Sequence, residues 1–93
     1  MNYIQELTTR LDEKIPGNDV ALLRIYVLLA LAKGTDMTLE NVHDAWAIWK
    51  DGIKPDHKSL IPFGELTEEV QELDRKYMDA IVELGWEIQN GVA

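Results

Sequence analysis

The chain has no cysteine, only three prolines and one phenylalanine, and just two histidines among 93 residues. The missing thiols exclude a disulfide framework, a thiolate nucleophile and a cysteine-bound zinc, and they suit a reducing compartment. His43 and His57 stand far apart with no H-E-x-x-H spacing, so the sequence offers no recognisable metal site. A G-x-S-x-G elbow and a glycine-rich phosphate loop carrying a lysine are absent as well. The carboxylates of Glu68, Glu69 and Glu72 read as the solvated face of a helix. A non-enzymatic protein that uses no metal and no cofactor is therefore expected.

Long apolar runs are also missing. The longest, Ile25 to Ala32, falls far short of the ~20 residues that a membrane span needs. The first residues lack the basic start and small-residue cleavage site of a signal peptide. Basic residues are scarce too, 9 against 17 acidic ones, for a net charge of -8. That balance opposes nonspecific attraction to nucleic acid and to anionic lipid. A cytoplasmic protein with neither nucleic acid nor membrane as a partner is the expectation. The acidic surface can serve simply to keep a small domain soluble, or it can imitate DNA toward a basic partner.

What is present is helical periodicity from end to end. Ile4, Leu7 and Leu11 recur at helical intervals, and Ile15 continues the row into the turn Ile15-Pro16-Gly17-Asn18. Asn18 or Asp19 can cap a second helix, Val20 to Lys33, which Gly34 ends. That segment is apolar on nearly every side and is expected at the centre of a bundle. Thr38 can cap a third helix with Leu39, Val42, Trp46 and Trp49 as its inner stripe, and Gly52 stops it. Pro55, Pro62 and Gly64 then rule out a continuous helix and predict an ordered loop pinned by Ile61, Phe63 and Leu66. Thr67 can cap a last helix whose inner stripe is Val70, Leu73, Tyr77, Ile81, Leu84 and Ile88. The predicted fold class is all-α: one compact four-helix domain over residues 1–93, with the ordered loop between the third and fourth helices.

Three features are candidates for chemistry. His43, Trp46 and Lys50 follow i, i+3, i+7 spacing and share one helix face. There an indole can stack a nucleobase while the ammonium and imidazole meet phosphate; equally, Trp46 can be core with His43 at its edge and Lys50 in water. Arg24 interrupts the apolar second helix and needs a partner, because an unpaired buried charge is costly. A ligand phosphate, an internal carboxylate of Asp44, Asp74 or Asp79, or solvent would each satisfy it. Finally, the loop Lys54 to Ser59 gathers two lysines, His57 and a hydroxyl in an acidic chain. His57 and Lys58 could form an anion site there, or the loop could be only solvated. A second apolar strip, Met78, Val82 and Trp86, is spaced to bind a partner or to close a dimer.

The order of these motifs resembles the RyR domain, the repeat named after ryanodine receptors and found also in small bacterial and phage proteins. His43, Asp44, Trp46, Ala47 and Lys50 match its helix motif. His57, Leu60, Ile61, Pro62, Phe63, Glu65 and Leu66 match its proline loop, Asp74 and Arg75 the end of its acidic run, and Glu83 to Trp86 its closing motif. The likeness covers residues 42–86 and leaves an N-terminal helical hairpin, residues 1–34, outside it. It departs from the family at Asp51 to Lys54, where an aromatic segment is shortened, and at Lys58, which stands where proline is common. The resemblance implies a nucleotide ligand held by Trp46 with Lys50 and His43. A lone repeat would form a homodimer to rebuild the tandem cleft, and a cyclic dinucleotide would suit its symmetry. Sequestration of a nucleotide signal is the expected role. The alternative is an acidic helical protein-interaction module, either an adaptor or a DNA mimic.

Overall fold

The computed structural model describes residues 1–91; residues 92 and 93, which the expected domain includes, lie outside the described residues. The chain folds into α1 (Tyr3–Lys14), α2 (Val20–Lys33), α3 (Leu39–Asp51), α4 (Glu68–Glu72) and α5 (Arg75–Gln89), with a 3₁₀ turn at Phe63–Glu65. No strand occurs among the described residues, so the all-α single domain is as expected.

Helices α1 to α4 each begin where a side chain can satisfy free amides. Asn2 and Gln5 form a reciprocal capping box on α1, and Thr38 and Asn41 form another on α3. Asp19 rather than Asn18 caps α2, accepting from the Ala21 amide at 2.8 Å. Asn18 instead donates to the Ile15 carbonyl at 2.8 Å and closes the turn, in which Gly17 supplies the positive φ of 90°. Thr67 caps α4 through the Val70 amide.

The fourth predicted helix is broken in two. At Leu73 and Asp74 the amides bond three residues back, to the carbonyls of Val70 and Gln71, which tightens the ladder before α5 restarts. Leu73, expected on the inner stripe, is consequently 68% exposed.

The core is built from Leu11, Leu22, Leu23, Tyr26, Val27, Ala30, Val42, Ala45, Ala80, Ile81 and Leu84, all nearly or wholly removed from water. Helix α2 touches α1, α3 and α5, which is the central place its composition predicts. It is not enclosed, however. Val20, Leu28 and Leu31 face solvent together with Arg24 along one stripe, while Val27 is buried. The approach of α5 to the end of α2 depends on Gly85, since a Cβ there would collide with the backbone carbonyl of Gly34. On the other flank, Arg10 and Lys14 of α1 pair with Glu87, and Lys14 also reaches Glu83 at 2.9 Å. These ties clamp the first helix to the last. Among the described residues, no helix is long and apolar enough to cross a membrane.

The loop from residue 52 to residue 62 is a succession of tight turns, with the His57 amide bonded to the Lys54 carbonyl and the Leu60 amide to that of His57. Gln71 then donates to the carbonyls of Phe63 and Leu66, fastening the 3₁₀ turn to α4. The loop is thereby laid across α3, where it shapes the feature described next.

Candidate functional site

A cleft of about 470 Å³ opens between α2, α3, the loop and the α4–α5 junction. Its size lies within the range usual for small-molecule sites, ~300–1,000 Å³. Helical spacing brings the walls together. Leu22 and Tyr26 are one turn apart on α2, His43, Trp46 and Trp49 follow three-residue steps on α3, and Asp74 and Tyr77 are three apart at the start of α5. His57 and Ser59 come from the loop, and Asn18 and Asp19 from the α1–α2 turn.

Aromatic rings dominate the lining. Trp46 is stacked on His43, with centroids 5.7 Å apart at 29°, and meets His57 edge-on at 5.2 Å and 79°. Tyr26 and Tyr77 stand 6.1 Å apart, tilted by 36°. Phe63 also packs near His43, with centroids 6.2 Å apart at 52°. Trp46 therefore belongs both to the packed interior and to the cleft wall.

Hydrogen bonds fix both imidazoles in one tautomer. His43, only 3% exposed, places Nε2 at 2.8 Å from the Ile61 carbonyl. A carbonyl can only accept, so Nε2 carries the proton, and in the neutral ring Nδ1 is an acceptor. His57 Nδ1 accepts from the Ser59 amide at 3.0 Å, so its Nε2 is the protonated nitrogen.

Three polar groups of the cleft have no hydrogen-bond partner among the described residues. The Tyr26 side chain is 1% exposed, yet its hydroxyl makes no hydrogen bond among the described residues, and neither does His43 Nδ1. Since no fully buried side-chain nitrogen or oxygen among the described residues lacks a partner, both atoms keep some accessible surface, and both residues line the cleft. Asp74 stands at the N-cap of α5 but makes no capping bond, because its backbone is already helical, with φ -85° and ψ -4°. Burial pushes its carboxyl above the ordinary range, partly offset by nearby His43. Burial likewise pushes the Tyr26 hydroxyl well up, reinforced by Asp74 and Tyr77, so the phenol stays a donor at neutral pH.

Of the predicted site residues, His43, Trp46 and His57 meet in this cleft, and three do not join them. Lys50 lies over the Trp49 ring at 5.4 Å, a cation–π contact that holds its ammonium against the indole. Arg24 is on the exposed stripe of α2 and forms no ion pair among the described residues, so neither Asp44, Asp74 nor Asp79 is its partner. Solvent satisfies it. Lys58 is exposed between two lining residues. No lysine or arginine lines the cleft among the described residues, and the ammonium and guanidinium groups expected to meet a phosphate are elsewhere.

Asp74, Tyr26 and Tyr77 are among the lining residues that the sequence did not point to as a site. A signal for Asp74 exists: it falls four residues after Val70, one turn before Tyr77 and two turns before Ile81, in line with the buried face of α5. The apolar strip expected at Met78, Val82 and Trp86 is mostly used internally. Met78 and Val82 pack against the core, and only Trp86 is half-exposed, at 52%.

The chain belongs to the family described as "Domain of unknown function (DUF7701)", whose model matches residues 2–85. No curated protein and no solved structure matches it. This assignment overturns the resemblance to the RyR domain. The matched unit takes in the N-terminal hairpin, which supplies Leu11, Leu22, Leu23, Tyr26 and Val27 to the common core and is thus integral to the domain. The tandem cleft, which rested on that resemblance, loses its basis with it.

Proposed function

We propose that this protein is a non-catalytic binding module that takes a planar heterocyclic ring, of the nucleobase or nucleoside kind, in the cleft walled by Trp46. The observation that carries the reading is the pairing of aromatic walls with unpartnered polar groups at Tyr26, His43 and Asp74. Buried polar atoms are ordinarily satisfied, so atoms left open on an apolar-walled cleft are suited to a ligand's complementary edge. The indole and imidazole faces supply stacking surface, and the fixed tautomers supply one acceptor, His43 Nδ1, and one donor, His57 Nε2–H.

Sequestration or sensing of a small molecule needs only such a cleft and no catalytic group. Phosphate recognition through Lys50, Arg24 and Lys58 is not part of this proposal, because those side chains do not line the cleft.

Titration calorimetry of the protein and of its Trp46→Ala variant with a panel of nucleosides tests the reading. Loss of the stacking face is expected to weaken binding by about 1–3 kcal/mol. Equal affinity in a folded Trp46→Ala protein would move the ligand elsewhere.

A further inference from the structure

The cleft also constrains the chemistry of the ligand edge that enters it, an inference that rests on the binding role just proposed. The groups facing inward are unequal in kind. Asp74 offers two carboxylate oxygens that no cap engages, and His43 Nδ1 adds a further lone pair. Against these acceptors stand the Tyr26 hydroxyl and His57 Nε2–H. The other acid on the lining, Asp19, is already engaged as the cap of α2.

Electrostatics point the same way. The lining contains two acidic residues and no lysine or arginine among the described residues, in a chain of net charge -8. A cleft lined by one sign of charge repels ligands of that sign and concentrates the opposite one. Tyrosine and tryptophan faces add attraction for a flat cation.

We propose that the cleft recognises a planar edge carrying two N–H donors, held by the Asp74 carboxylate with His43 Nδ1 beside it, and excludes phosphate from this end. Two ligand sources share that edge. One is a guanine-type base, whose ring N–H and exocyclic amino group lie side by side; the other is an amidinium or guanidinium cation. Both match a carboxylate with two parallel hydrogen bonds.

The test is calorimetric titration of the full chain with guanosine, inosine, adenosine, guanosine monophosphate and benzamidine, repeated on Asp74→Asn and Tyr26→Phe. Hydrogen bonds to a charged group contribute ~1.5–3 kcal/mol, so loss of the carboxylate is expected to weaken binding about 10- to 100-fold. Guanosine should bind more tightly than inosine, which lacks the amino group, and no less tightly than its monophosphate. Benzamidine binding that Asp74→Asn abolishes, with guanosine silent, would support the proposal and assign the cationic source. Adenosine or inosine binding as well as guanosine, in a Trp46-dependent and Asp74-independent manner, would overturn it while leaving the binding module intact. A panel in which nothing binds would remove both readings. Helical circular dichroism of each variant separates lost contacts from lost fold, and Tyr26→Phe, which deletes a single oxygen, should weaken the same ligand without unfolding the chain.

Discussion

His43 Nε2 donates to the carbonyl of Ile61, eighteen residues along the chain, at 2.8 Å. One bond therefore joins the middle of α3 to the far end of the proline loop, and it is made by a side chain almost wholly removed from water. Replacing His43 by Ala leaves that carbonyl without its donor and removes the ring stacked on Trp46. The expected loss of stability is about 1–3 kcal/mol. Hydrogen exchange should show faster opening of the loop amides of His57 and Leu60 than of the α5 core. Uniform exchange across both would mean that the bond does not hold the loop.

The Asp74→Asn variant is expected to behave in opposite ways in binding and in folding. Burial raises the folded-state pKa of Asp74 above its ordinary value of 3.8, so holding the carboxylate ionised at neutral pH costs the folded chain more than the unfolded one. As pH falls, the folded state takes up this proton first, and Asp74's contribution to stability improves between its raised pKa and the ordinary one. The neutral amide should thus raise Tm at pH 7 by a few degrees, with the gain shrinking toward pH 4. An unchanged or lower Tm at pH 7 would show the carboxylate to be structural.

The α1–α5 clamp has the reverse dependence at its acidic end. Its hydrogen bond from Lys14 holds Glu87 below the ordinary 4.5, so its stabilising effect is present above that value and is lost as pH falls through the lower folded pKa. Lys14, which burial would push down, is nonetheless held above its ordinary 10.5 by Glu87 and Glu83, and that contribution disappears as pH rises through the raised value. Between these limits, Lys14→Ala should cost on the order of 1 kcal/mol, and the loss should shrink in high salt. Chemical denaturation at low and high ionic strength would check both statements.

Gly85→Ala should destabilise, although replacing glycine by alanine inside a helix ordinarily stabilises. A Cβ at this position meets the Gly34 carbonyl, which is backbone and cannot rotate away. Overpacking of this kind costs ~1–3 kcal/mol, enough to lower Tm by several degrees in a domain of this size. Alanine at Gly64, where the added atom meets nothing within 4 Å, provides the control and should have little effect.

Much of the helical frame was legible from caps and periodicity, because those signals are local. Thr38, Thr67 and Gly34 delimit helices as their chemistry requires. The break at Leu73 and Asp74 was not legible, since no proline or glycine marks it and the tightened turn depends on how α4 docks on the 3₁₀ turn through Gln71. Within the site, the shared face of His43 and Trp46 followed from spacing on one helix. His57 and Asp74 joined them through packing between distant segments, which no periodicity encodes. Lys50 shows the limit of a helical wheel: it has the right spacing, yet its ammonium bends back over the Trp49 ring.

The two imidazoles against Trp46 also have a spectroscopic meaning. An indole's emission responds to a ring placed over its face or at its edge, and any ligand stacking there must change that environment. Of the three tryptophans, Trp86 is half-exposed on α5 and does not line the cleft, so it can serve as an internal reference. The chain thus carries its own optical readout of occupancy, and a Trp86→Phe protein would report from the cleft against a darker background.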